Sequence, residues 1–263
     1  EAECDAIALS ALWTLDPNGT GIYRPGNTAS GAYSIATGFQ TEASGNYSTA
    51  MGRDTDATGG YSTAMGTGTT AIGGAATAMG YNTIASGNAS TAMGTGTASG
   101  DYSTAMGAAT ASGVFSTAMG EETTASGYAS TAMGAGTASG VVSTAMGTGT
   151  ASGEYSTAMG NGNATGDYST AMGNGNASGI ASTAMGGSTT ASGIASTATG
   201  NGTIASDYAS TVIGHYNLTG INPTSATSFS LDAPAFVIGN GLDGNNRSDA
   251  FSILFDGTTN IAG

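Results

Sequence analysis

Ser48-Thr49-Ala50-Met51-Gly52 is the stretch whose reading decides the fold. It returns as Ser62–Gly66, Ser90–Gly94, Ser103–Gly107 and Ser116–Gly120, and onward to Ser182–Gly186. Altered copies, Ser34-Ile35-Ala36-Thr37-Gly38 and Ser210-Thr211-Val212-Ile213-Gly214, extend the series at either end. From Gly38 to Gly214 the closing glycines recur at intervals of 13 or 14 residues. A short fixed period is the signature of a stacked array, in which each repeat packs only on its neighbours.

Each period has two halves. One is Ser-Thr-Ala-Met-Gly and the other reads Thr-Ala-Ser-Gly, as at Thr97–Gly100. In an extended chain alternate side chains face opposite ways. Thr and Met therefore share one face of the first half, and Ser and Ala share the other. Gly closes each half, where a tight bend needs positive φ or a close backbone approach. Two short strands and two bends predict a narrow β-solenoid coil. A helix is excluded, because each recurrent interior Gly would cost it about 1 kcal/mol relative to Ala.

Two alanine ladders follow. Ala50, Ala64, Ala92 and Ala105 belong to the first half, Ala98 and Ala111 to the second, and all are expected inside the coil. An interior of Ala buries little apolar area per residue, so further burial is expected outside it. All 11 methionines occupy the fourth position of the motif: Met51, Met65, Met79, Met93, Met106, Met119, Met133, Met146, Met159, Met172 and Met185. A continuous apolar stripe of this kind marks an interface. Met is adaptable and fills irregular gaps. The economical solution is cyclic association, with Met and the neighbouring Thr104, Thr117 and Thr131 turned toward a common axis. The alternative, Met inside the coil and Ala outside, stays open on sequence alone.

Composition narrows the function classes. Of 263 residues only 8% are charged while 39% are apolar, the reverse of the usual signature of disorder. The formal net charge of −14 argues against nucleic acid, whose phosphates need Lys and Arg, and against docking on an anionic membrane surface. No run approaches the ~18 consecutive apolar residues of a membrane-spanning helix. The chain opens on Glu1-Ala2-Glu3-Cys4, which fits either a mature end left by signal cleavage or an arbitrary boundary. Cys4 is the sole cysteine, so no disulfide forms within one chain; pairing between subunits and a buried free thiol remain open.

Residues 1–28 lack the repeat and are expected to form a cap or an assembly segment, with Leu9, Leu12 and Trp13 against the first coil. Residues 29–215 carry the array. Residues 216–263 read as a small β module or neck, with strands at Ala235–Gly241 and Ala250–Gly257 joined by a polar loop. Asn260-Ile261-Ala262-Gly263 looks like the start of a further element, so the natural protein is expected to continue.

The alternation of Ser-x-Ala-x-Gly with x-Ala-x-Gly, from Ala29 to Gly214, resembles the head repeats of trimeric autotransporter adhesins, the YadA-like or haemagglutinin-repeat family. The resemblance implies an all-β, left-handed parallel β-roll, three chains around one axis, displayed outside the cell. Thr and Met stand where the family commonly has Val and Ile; Ile35 and Ile213 restore the family-like residues. Phe236–Gly241 and Arg247–Phe251 look like a module that follows such repeats in bacterial surface and phage fibre proteins. The function implied is an extracellular structural or adhesive fibre, a homotrimeric shaft or head on a cell surface or in a filament. A glycan or an extracellular-matrix component is the class of ligand expected. A phage or viral tail-fibre part that binds a host glycan is the alternative. An ice-binding solenoid, suggested by the Thr ladders, is a third.

Reactive chemistry is sparse. His215 is the only histidine, so no His-based metal cluster or catalytic triad can assemble within one chain. A three-fold axis would bring three copies of it together, whereas the plainer role is a polar junction residue. Glu154 and Asp167 fall on consecutive coils and would stack about 4.8 Å apart, either in solvent or around a Ca²⁺ ion. These three are the metal candidates, and no other cofactor and no enzymatic activity are expected. Tyr33, Tyr47, Tyr61, Tyr102, Phe115, Tyr155 and Tyr168 form an aromatic column suited to glycan contact, subunit contact or packing between coils. Eight Asn-x-Ser/Thr sequons permit glycosylation without arguing for it.

Overall fold

A computed structural model describes residues 14–15, 22–23, 26–220 and 225–262. Cys4, Leu9, Leu12 and Trp13 lie outside the described residues. Every regular element among the described residues is a strand. The chain divides into two compact units, Glu1–Ala129 and Ser130–Gly263.

In the first unit each coil contributes a long and a short strand, such as Thr49–Arg53 and Asp56–Ala57. Long strands pair in parallel with long strands of the neighbouring coils: Met51 lies beside Met65, and Met65 beside Met79. Short strands do the same, with Ala57 beside Ala71. The strand Ile22–Tyr23 pairs in parallel with the first long strand, Ile35–Phe39. The chain is thus a parallel β-solenoid, as the period predicts.

The second unit repeats the plan from Thr131–Gly134 to Thr211–His215. Pro234–Asn240 then pairs in parallel with Thr211–His215, placing Val237 beside Val212 and Ile238 beside Ile213. The first strand of the tail therefore stacks as a further long strand. Asp249–Leu254 and Thr259–Ile261 add to it antiparallel.

The coil interior is lined by small side chains because the coil is two strands wide. Ala50, Ala64, Ala92, Ala98, Ala105 and Ala111 are fully buried, and so are Ser48, Ser62 and Ser90. A third interior column runs Asn27, Thr41, Thr55, Thr69 and Thr83. Most of the interior Ser hydroxyls have no hydrogen-bond partner; Ser143 and Ser210 donate to the carbonyls of Gly140 and Asp207, 2.7 and 2.9 Å away. A buried hydroxyl without a partner costs about 1–3 kcal/mol, so interior polarity is a burden that packing must offset.

Both bends have physical causes. At Gly45-Asn46-Tyr47-Ser48 the Ser48 N–H donates to the Gly45 carbonyl at 3.1 Å, and Tyr47 has φ 60°. A Cβ on Gly45 would sit 2.0 Å from the Gly59 carbonyl oxygen of the next coil, so only Gly fits. The other bend absorbs the variation in period. Gly52-Arg53-Asp54-Thr55 carries an extra residue, Asp54 at φ 51°, and buries Thr55. Gly94-Thr95-Gly96 lacks that residue and puts Gly96 in the same interior place, where a Cβ would approach the Ala109 carbonyl oxygen at 3.0 Å.

Candidate functional site

With Ala and Ser inside, the coil presents three kinds of column outward. The first is the Thr/Met face of the long strands. In the first unit Met51, Met65, Met79, Met93, Met106 and Met119 are in register. In the second, Met133, Met146, Met159, Met172 and Met185 are in register and continue through Thr199, Ile213 and Ile238. Met51 is exposed and the other methionines are half-buried. Thr104, Thr117 and Thr131 stand two residues before a Met and are half-buried too. No charged side chain interrupts these columns.

The second column is aromatic. Tyr33, Tyr47 and Tyr61 stack with ring centroids 5.1 and 4.9 Å apart. Tyr102 stacks on Phe115 at 5.0 Å, and Tyr155 on Tyr168 at 5.2 Å. All these residues have φ between 55° and 61°, a left-handed conformation that costs an ordinary residue about 1–2 kcal/mol. Each aromatic pair returns about 0.5–1.5 kcal/mol, so stacking offsets much of that strain. The ring faces that a sugar would cover are largely covered by the neighbouring ring.

The third column, on the outward side of the short strands, was not singled out from the sequence. Ala98 is buried while Thr97 is half-buried and Ser99 exposed. The same Thr-Ala-Ser alternation recurs at Thr110–Ser112 and Thr124–Ser126, and in the second unit at Thr137–Ser139 and Thr150–Ser152. The signal was the alternation about the second Ala ladder, which leaves Thr and Ser nowhere to point but outward.

Glu154 and Asp167 are neighbours, but the Asp167 carboxylate accepts the Glu154 backbone N–H at 2.9 Å. His215 stands apart: its Nδ1 lies 2.6 Å from the Gly241 carbonyl oxygen and its Nε2 3.1 Å from the Asn201 side-chain nitrogen. A carbonyl oxygen only accepts, so Nδ1 donates to Gly241 and joins the last coil to the tail. Among the described residues no three His, Cys, Asp or Glu side chains gather as a metal site. No described helix is long and apolar enough to cross a membrane.

The long strands continue at either end into Ile22–Tyr23 and Pro234–Asn240, while beside the short strands two side-chain amides take up backbone groups. Asn27 accepts the Thr41 N–H and donates to the Gly38 carbonyl, both at 3.1 Å. Asn217 accepts the Ile204 N–H at 2.8 Å and donates to the Ile204 carbonyl at 3.0 Å. Each amide substitutes for a strand edge that a further coil would supply. Asp207 occupies the interior place held by Gly in the preceding coil, Gly193, whose Cβ would meet the Asp207 carbonyl oxygen at 2.1 Å. Beside it, a cavity of ≈ 550 Å³ is lined by Asp207, Val212, Val237, Asp249 and Leu254 among others. Burial pushes the Asp249 carboxyl up, against the lowering effect of the Leu218 N–H.

A parallel solenoid whose interior is filled by Ala and Ser, and whose variable chemistry lies in outward columns, is the plan of a structural repeat protein. Nine segments between residues 25 and 203, some overlapping, match the YadA head domain repeat. The chain belongs to that family and is an adhesin-type structural protein, so the resemblance read from the motif holds. A search of curated proteins finds no match to the chain.

Proposed function

We propose that three copies associate through the Thr/Met faces to build a homotrimeric adhesive shaft or head displayed on a cell surface. The observation that carries this reading is the register of the methionines, uncharged and outward, with Ala already filling the coil. Burying the part of one Met that is still exposed contributes about 1 kcal/mol. Repeated along a column of 11 methionines, that reaches the same order as the roughly 4–15 kcal/mol cost of lost rigid-body freedom. Thr between the methionines brings a methyl to the interface and a hydroxyl that needs a partner there. The assignment of Met51 to Met185, Thr104, Thr117 and Thr131 to the interface is part of the proposal. So is the division into a cap or assembly segment, residues 1–28, a β-roll, 29–215, and a β module or neck, 216–263.

Met119→Asp tests it. Three carboxylates would meet near the axis, each losing solvent. The expected outcome is a smaller native mass in size-exclusion chromatography with light scattering, with the β-type circular dichroism retained. Unchanged mass would remove Met119 from the interface.

A further inference from the structure

The outward face of the short strands in the second unit carries two polar, uncharged columns side by side. Its first column is Thr137, Thr150, Asn163, Asn176 and Thr190, in parallel register. Its second column, two residues on, is Ser139, Ser152, Thr165, Ser178 and Ser192. Backbone bonds of 2.9 Å from Ser139, Ser152, Thr165 and Ser178 to the next coil hold this column in the same stack. Coils therefore repeat about every 4.8 Å, and the columns stand about 6.6 Å apart, twice the rise per residue.

These side chains are unused. Two residues away, on the turn, Asn161 donates to Asn174 at 3.2 Å and accepts from the Thr148 hydroxyl at 3.2 Å, so that ladder is spent on itself. Asn163 and Asn176 are exposed neighbours of the same type, yet neither amide makes a hydrogen bond among the described residues. The Thr and Ser hydroxyls of the two columns are equally free. Neither column carries a charge, in a chain whose net charge is −14. The face lies across the coil from the Thr/Met columns, since both Ala ladders are buried between them. Association through Met leaves it accessible.

We propose that this face binds a long, uncharged, β-linked polysaccharide laid along the coil stack, with about one sugar per coil. An extended β-linked glycan advances by nearly the distance between coils, is a flat ribbon, and offers hydroxyls along both edges. Free amides and hydroxyls at fixed spacing meet those hydroxyls without aromatic platforms, which the paired Tyr155 and Tyr168 rings do not provide. Polyanions are repelled by the net charge. Each hydrogen bond adds only about 1 kcal/mol net, so affinity comes from repetition, and short oligosaccharides bind weakly. The inference rests on the adhesive reading and names its ligand.

The test is co-sedimentation of the purified chain with insoluble cellulose and chitin, with starch as an α-linked control. Expected is retention on the β-linked polymers, little on starch, and no competition by cellobiose at equal sugar mass. Asn163→Asp with Asn176→Asp should lower retention at least tenfold while circular dichroism and native mass stay unchanged. Undiminished retention of the double variant, retention on neither polymer, or equal retention on starch overturns the inference. Freezing-point hysteresis without retention would assign the face to ice and also overturn it. Native mass on the same sample separates the two proposals. A trimer that is not retained sinks this inference alone, and a retained monomer sinks the trimer alone.

Discussion

The coils from Gly38 to Gly94 have 14 residues each, and those from Gly134 to Gly186 have 13. Both kinds keep Ser and Ala inside, Met outside and the same turn at Gly-x-x-Ser. They differ at the other bend, where the longer coil adds one residue at positive φ, as at Gln40, Asp54 and Asn82. The longer coil then has room for an interior Thr, whereas the shorter one closes on Gly136, Gly149, Gly162 or Gly175. Outward chemistry shifts as well. Glu42 stands beside Asp56 in the long coils, and Asn163 beside Asn176 in the short ones, at the same column. A solenoid can thus change length and surface at one bend without disturbing the register of the rest.

The largest expected effect strikes what the two kinds of coil share. Gly59→Ala would bring a Cβ to 2.1 Å from the Gly73 carbonyl oxygen, and neither backbone can yield alone. A loss of about 4 kcal/mol or more, by urea unfolding, is expected. A loss under ~1 kcal/mol would show that the stack is looser than described.

The next separates the two bends. Gly162→Thr puts a Cβ 2.7 Å from the Ala171 carbonyl oxygen and should cost about 2 kcal/mol. Inserting one Asn before that Thr recreates the longer bend and should recover most of the loss. If the insertion fails to rescue, the interior Thr is not what the extra residue accommodates.

A smaller effect changes sign within one column. The Thr69 hydroxyl is buried without a partner, so Thr69→Val should stabilise by about 1 kcal/mol. Thr83, next to the first short coil, donates to the Gly94 carbonyl at 2.7 Å, so Thr83→Val should destabilise by a similar amount. Equal shifts in Tm would contradict the interior assignment.

The smallest is a pH effect. Burial, then the charges of Glu42 and Asp54, hold the Asp56 carboxyl above its ordinary value. A folded-state pKa above the unfolded one favours the protonated form on folding. The associated stability is present below the unfolded pKa and is lost as pH rises through the folded one. Asp56→Asn should therefore raise Tm at neutral pH, and its advantage should vanish in acid.

Much of this was legible beforehand, because the physics is local. The recurrence of Ser48–Gly52 announces the period, and alternation of faces pairs Thr49 with Met51. The third interior column was not legible, since Thr55 and Thr58 look alike until the bend decides which one turns inward. The short-strand face is legible in Thr97-Ala98-Ser99, where alternation about the buried Ala98 turns Thr and Ser outward. Tyr47 at positive φ is the reverse case, because a left-handed turn is normally read from Gly or Asn and the compensating ring stack comes from other coils. The roles of Asn27 and Asn217 follow only from the fold, as neither differs in type from the Asn residues of ordinary turns.

The claim on which the rest depends is that the Thr/Met faces meet between chains. Sedimentation equilibrium of the unmodified protein tests it most directly. The account predicts a single species of three times 25.1 kDa, stable on dilution. A stable monomer at 25.1 kDa would contradict it and leave the methionine columns facing solvent.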